Sequence, residues 1–379
     1  MGSISYSGPA LVVSGNAGNI TYTLGAQESI KVYVTNASGT QEFSIKAYND
    51  NTSRTMDLAE ILNALPLDLP SPVSMDIGYN VHKPSTVKIA IMNGSTEVSS
   101  VTIQAIRGLV SNKSVSASSA LSYLSLRPHS IKPQVRYIYA DSIENLSVMI
   151  PWGVLASPSA NTPTVTYNVT VYLKTGSPLT LTWYNTLSTC NYRIVTNRVD
   201  LEALLEHVTG PMPSTMRHLI TGWDVQVVIT EPSVANPQTI KTVRYVLKDG
   251  RAKSRSFAFV NDFGGIDTIT ANGSFKTIGA YSPSLFVNND KLETIKTNQE
   301  TEYEVSTGPL DNVQVQEAWL SFLRSPNKWL IEDLTFKKIN LTDASPELEA
   351  KELNDITFKY RLESERGGKV PSYSTLAQM

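Results

Sequence analysis

The chain has 379 residues, enough for two or three domains with real cores. Lys and Arg number 32 against 34 Asp and Glu, for a net charge of -2, whereas a nucleic-acid binder normally shows a basic face, so no direct nucleic-acid contact is expected. A single Cys rules out an intrachain disulfide, and 41% apolar with 17% charged residues is a globular composition, so packed cores must carry the stability.

The chain runs from Met1-Gly2-Ser3-Ile4-Ser5-Tyr6 straight into strand-like sequence, with no basic-then-apolar leader expected. No apolar run approaches the roughly 18 residues of a membrane span. Thr, Ser, Val, Tyr and Asn are abundant, a vocabulary of strands and turns.

The first module is expected over residues 1–108. Ile30, Val32 and Val34 alternate with Lys31 and Tyr33, and Phe43, Ile45 and Ala47 return after the turn Asn36-Ala37-Ser38-Gly39. Leu58, Ile61, Leu62 and Leu65 then change the period to that of a helix over 57–65, with Asp57 as N-cap and Pro66 as stop. Two strands joined by Asn93-Gly94 close the module. The Ser-rich stretch 109–134 reads as a linker or a packed irregular segment.

A second module, 135–251, repeats the plan. Val165 to Leu173 alternate, Leu179, Leu181 and Trp183 come back, and Leu201, Leu204, Leu205 and Val208 mark a helix over 200–208 opened by Asp200. A third, 252–362, carries a helix over 311–323 opened by Asp311, with Val315, Ala318, Trp319 and Phe322 at helical spacing. Each short helix needs a sheet face to hold it. The polar, Gly-rich tail 363–379 has no useful periodicity. The expected fold class is therefore mainly β: several sandwich- or barrel-like modules, each with one short amphipathic helix on a sheet, arranged as an internal repeat.

Chemistry-bearing residues do not converge in the sequence. His82, His129, His207 and His218 lack metal-ligand spacing, and Cys190 has no partner near it. No Gly-x-Ser-x-Gly elbow occurs. Gly264-Gly265 lacks the Lys-Ser/Thr of a phosphate loop, and Asp262 and Asp267 beside it read as turn acids that bond backbone amides. Arg251, Lys253 and Arg255 read as a solvated face. Trp183, Trp223 and Trp319 fall on core stripes, which leaves Trp152 in Pro151-Trp152-Gly153, with Tyr184, as the candidates for an exposed sugar platform. No residue is put forward as catalytic, cofactor-binding or metal-ligating, and no cofactor or enzymatic activity is expected.

One stretch carries a likeness. Phe259-x-Asn261-x-Phe263-Gly264-x-x-Asp267-Thr268 opens it. Glu302-Tyr303-Glu304-Val305, Trp319-Leu320 and Ser325-Pro326-x-x-Trp329-Leu330 continue it, and Asn354-Asp355-Ile356-Thr357-Phe358-Lys359-Tyr360 ends it. This order of features resembles the C-terminal part of structural proteins, placed with tail, neck or other virion components, of tailed phages and prophages of Bacteroidetes. The resemblance implies a non-enzymatic virion subunit assembled in the host cytoplasm. Its partners would be copies of itself, in a ring or other homo-oligomer, and neighbouring virion proteins. The competing expectation is a carbohydrate-binding or adhesive β-module on a receptor-binding tip or cell surface.

Overall fold

The computed structural model describes residues 2–70, 72, 79–110, 115–150, 163–186, 193–207, 214–230, 236–248, 254–288, 291–310, 312–332, 335–344 and 355–363. The protein is mainly β, with several sheets and a few short helices, as the period-2 alternation predicts. It divides into two compact units, 1–249 with 260–267, and 250–259 with 268–379.

The first unit begins with a two-layer sandwich. Its larger sheet runs in the order Leu11–Val13, Thr96–Ile106, Ser85–Asn93, Glu28–Asn36, Gly39–Ile45, and the first pair is parallel. A small sheet of Ser3–Ser5, Asn19–Thr23 and Arg54–Asp57 supplies the second layer. Ile30, Val32, Val34, Val87, Ile89 and Ile91 from the large sheet meet Ile20 and Tyr22 from the small one in a single core. The helix Leu58–Ala64 lays Leu58 and Leu62 on that core, and Asp57 caps it by accepting from the Ala59 N–H at 2.8 Å. Burying each such aliphatic side chain stabilises the fold by about 1.5–3 kcal/mol.

A second sandwich follows with the same connectivity. Its larger sheet is ordered Val135–Ile138, Val243–Leu247, Ile220–Thr230, Thr164–Leu173, Leu179–Thr186, again with a parallel first pair. Asn145–Ile150 pairs with Arg193–Arg198, and the helix Leu201–His207 follows, as Arg54–Asp57 leads into Leu58–Ala64 above. Val165, Tyr167, Val169, Trp223, Val225 and Tyr245 form the core with Leu146 and Val148 from the small sheet.

Two features of this unit depart from the sequence reading. Tyr79–His82, from the first module, completes the small sheet of the second by pairing with Arg193–Arg198. The stretch 109–134, expected to be irregular, contains the helix Ala117–Ser125, capped by Ser116. Its Ala120 and Leu124 join Leu11, Val13, Ile106, Met149 and Ile194 in a core fed by both modules. The segment escaped the periodicity reading because its buried face is built from Ala and Leu among serines.

The second unit is built on one seven-stranded sheet, ordered Ile266–Ala271, Arg255–Val260, Lys328–Glu332, Thr335–Ala344, Thr357–Leu362, Lys291–Ser306, Phe275–Asn288, of which only Val260, Ile266 and Asp267 are counted with the first unit. This order does not follow the plan of the two sandwiches. The helix Val313–Arg324 packs Trp319 and Phe322 against Phe257, Phe259 and Phe358, an aromatic core with ring centroids 5.3–6.4 Å apart. Asn312, not Asp311, caps the helix: its side chain accepts from the Val315 N–H at 2.9 Å, and Asp311 lies outside the described residues. Trp152, Cys190, Arg251, Lys253 and the tail beyond 363 also lie outside the described residues.

Candidate functional site

The central part of the motif that opens the likeness, Val260–Asp267, belongs to the first unit, where it forms a clasp. Asn261 uses its whole amide. Its Oδ1 accepts from the N–H groups of Phe263 (2.9 Å) and Gly265 (3.1 Å), and its Nδ2 donates to the His129 carbonyl (2.7 Å) and to Asp267 Oδ2 (2.9 Å). The glycines are required by close approach. Gly264 sits at φ +81°, and a Cβ there would stand 2.2 Å from the Arg107 carbonyl oxygen; at Gly265 a Cβ would stand 2.1 Å from that of His129.

Asp267 leads from the clasp into a buried ionic network. It accepts from Ser130 Oγ at 2.5 Å and from the Ile131 N–H at 3.1 Å. Arg136 donates to the same Ser130 hydroxyl (2.7 Å) and to the Tyr245 hydroxyl (3.3 Å), and its guanidinium lies 3.6 Å from Glu144. Lys132 Nζ binds both Glu144 oxygens at 2.7 Å. Next to it, Arg198 grips Asp200 at 2.7 and 2.9 Å, and Asp200 caps the helix Leu201–His207 through the Ala203 N–H. Arg136, Glu144, Arg198, Asp200 and Asp267 are all buried. Six charges thus balance as three of each sign, the condition under which burying them is tolerable.

Burial shifts several groups. The Lys132 ammonium is disfavoured by desolvation more than Glu144 supports it, so its pKa falls. His129 is fully buried and neither ring nitrogen has a hydrogen-bond partner. Desolvation lowers its pKa to about 3, against a smaller opposing pull from the Phe263 backbone, which lies outside hydrogen-bond geometry. Its own backbone is locked, the N–H donating to the Ser147 carbonyl at 2.8 Å.

This arrangement can hold chain segments in register; its acids and bases are occupied by one another. A general acid or base must exchange its proton with a bound molecule, and a nucleophile needs a free neighbouring base. Among the described residues no group of three or more His, Cys, Asp or Glu is placed to hold a metal ion. Asp267 bonds the 130–131 segment and the Asn261 side chain, partners that the turn-acid reading, with its local backbone amides, does not supply. His82 is half-buried with its pKa lowered by desolvation, and His218 is exposed.

In the second unit the closing motif works similarly. Asp355 accepts from the Ser306 hydroxyl (2.6 Å), the Thr307 hydroxyl (3.2 Å) and the Gly308 N–H (3.1 Å), which ties down a turn. Lys328, held near a pKa of about 8 by desolvation, donates to the Ser325 carbonyl just past the helix Val313–Arg324.

The described surface carries exposed aromatic groups. Trp183 stacks on Tyr167 (5.5 Å, 9°), Trp223 donates to the Val199 carbonyl, and Trp319 is buried. Tyr184 is 69% exposed, and Tyr48, 71% exposed, flanks an open depression with Tyr22, Ser53, Arg54 and Thr55, where Arg54 lies over its ring at 4.6 Å. Sequence reasoning missed Lys132, Arg136 and Glu144. The available signal was Arg136 at an inward position of the alternating Val135–Ile138, and Glu144 directly before the strand-like stretch Asn145–Ile150. Among the described residues no helix is long and apolar enough to cross a membrane. No protein-family model matches the chain, and no curated protein compared with it is similar.

Proposed function

We propose that this chain is a non-enzymatic structural subunit of a tailed-phage virion, from the tail, neck or baseplate region. It acts through interfaces with copies of itself and with neighbouring virion proteins. The supporting observation is how the reactive side chains are used: Lys132, Arg136, Glu144, Asp267, Arg198 and Asp200 neutralise one another inside the first unit, where the Ser130–Asp267 bond joins segments 137 positions apart. A protein whose task is to hold shape under assembly contacts uses its polar groups this way. The likeness over 257–362 supplies the virion context. Light scattering and negative-stain microscopy of the purified chain test the reading. A ring or other multimer is expected, and a stable monomer that never enters particles overturns it.

A second reading, a carbohydrate-binding or adhesive module, draws on the exposed Tyr48 and Tyr184. Glycan-array binding that is lost in Tyr48→Ala or Tyr184→Ala would select it over the first.

A further inference from the structure

The larger sheet of the second sandwich ends on Leu179–Thr186, and among the described residues no strand pairs with its outer side. An open edge invites pairing with another chain, so proteins blunt edges by shortness, charge, proline or a bulge. The other edges of the described sheets carry such devices or are buried. Ser3–Ser5, Leu11–Val13, Arg54–Asp57, Tyr79–His82 and Val135–Ile138 are three or four residues long. Asn145–Ile150 is buried throughout and Ile266–Ala271 nearly so. Phe275–Asn288 carries Lys276, Pro283 and a bulge between Ser284 and Leu285. Gly39–Ile45, which holds the equivalent place in the first sandwich, carries Glu42, paired with Lys31 at 2.6 Å.

Leu179–Thr186 has none of these. Its eight residues, Leu-Thr-Leu-Thr-Trp-Tyr-Asn-Thr, include no charge and no proline. Its register with Thr164–Leu173 is unbroken from Thr164↔Thr186 to Val171↔Leu179. Thr180, Thr182 and Tyr184 are exposed on one face, and Leu179 and Leu181 are half-buried on the other.

We propose that this strand pairs antiparallel with the same strand of a second copy, about a two-fold axis at Thr182. The proposal rests on the oligomeric reading above and names its contact. A two-fold interface must match itself. Centred on Thr182, the pairing sets Thr182 against Thr182, Leu181 against Trp183, Thr180 against Tyr184 and Leu179 against Asn185. With no charge in the strand, no like charges oppose; on the inner face Leu181 meets Trp183 and Leu179 meets the Asn185 side chain, and on the outer face Thr180 meets Tyr184. A charged partner strand would gain nothing from this edge, which favours the chain's own copy over a basic or acidic peptide. Seven residue pairs, with Thr186 left facing Pro178 outside the strand, bury less than the roughly 1,200 Å² of a stable complex, so the contact alone is weak and is best trapped covalently.

The test is Thr182→Cys in a Cys190→Ser background, oxidised and run on a non-reducing gel. The control is Asn168→Cys, on the same sheet face directly beside Thr182. Across the proposed axis the two Asn168 positions lie about 14 Å apart, beyond disulfide reach, whereas the two Thr182 positions face each other. Preferential cross-linking of Thr182→Cys, and loss of the self-association by Thr182→Lys with folding intact by circular dichroism, support the pairing. If the chain is multimeric but Thr182→Cys links no better than Asn168→Cys, this pairing is wrong and the oligomer stands. If the chain is monomeric at every concentration and neither variant links, both fail.

Discussion

Acidification acts first on His129. The imidazole is buried without a hydrogen-bond partner and stays neutral in the folded chain, with a pKa of about 3. In the unfolded chain it titrates near its ordinary value of about 6.5. Between these values the unfolded state binds a proton that the folded state refuses. The contribution of a neutral His129 is therefore complete above pH 6.5 and is lost progressively as pH falls towards 3. From pH 7 to pH 5 the loss comes to about 2 kcal/mol by linkage, and any folded value below about 4 gives the same figure, because the folded side chain is then neutral at pH 5. Urea unfolding of the wild type and of His129→Gln at both pH values isolates the effect, since the carboxylates are common to both chains and cancel in the difference. The wild type should lose about 2 kcal/mol more than the variant between pH 7 and pH 5. Equal losses would refute the reasoning, for they would mean that the imidazole reaches water or an acceptor in the folded chain.

Three further outcomes follow from the clasp and the network. Glu144→Ala strands Lys132 and Arg136 without their shared counter-charge and should cost about 3–5 kcal/mol, while the double variant Lys132→Met/Glu144→Leu should regain most of it; denaturation of the single and double variants measures the coupling. Asn261→Ala removes both acceptor and both donor bonds of a buried amide and should destabilise the first unit by about 2–4 kcal/mol, and an unchanged urea midpoint would contradict the clasp. Gly264→Ala combines left-handed backbone at φ +81° with a Cβ 2.2 Å from a carbonyl oxygen, so soluble yield should fall sharply, whereas Gly176→Ala, at φ +96° with open space around it, should be milder.

Much of the local architecture was legible. The alternation from Val165 to Leu173 and the apolar offsets of Leu58 and Leu62, or of Trp319 and Phe322, report a period set by backbone geometry, and the structure places these residues inward. Asp57 and Asp200 cap the helices they precede because a short acidic side chain reaches the first free N–H groups from that position. The helix Ala117–Ser125 was hidden by serines, which do not mark a face. The edge Leu179–Thr186 could be read as a strand but not as an edge, since strand order is decided by segments distant in the chain.

The sequence by itself determined that the protein is β-rich, that short helices are laid on sheets, and that its tryptophans at positions 223 and 319 belong to cores. These follow from propensity and periodicity, which act within a few residues. Tertiary structure alone decided that Tyr79–His82 completes the sheet of the next module, that Ser130 meets Asp267 across 137 positions, and that His129 is held neutral between them and the glycine clasp. The physical reason is that desolvation and ion pairing depend on which surfaces close over a group, and that is settled only when distant segments pack.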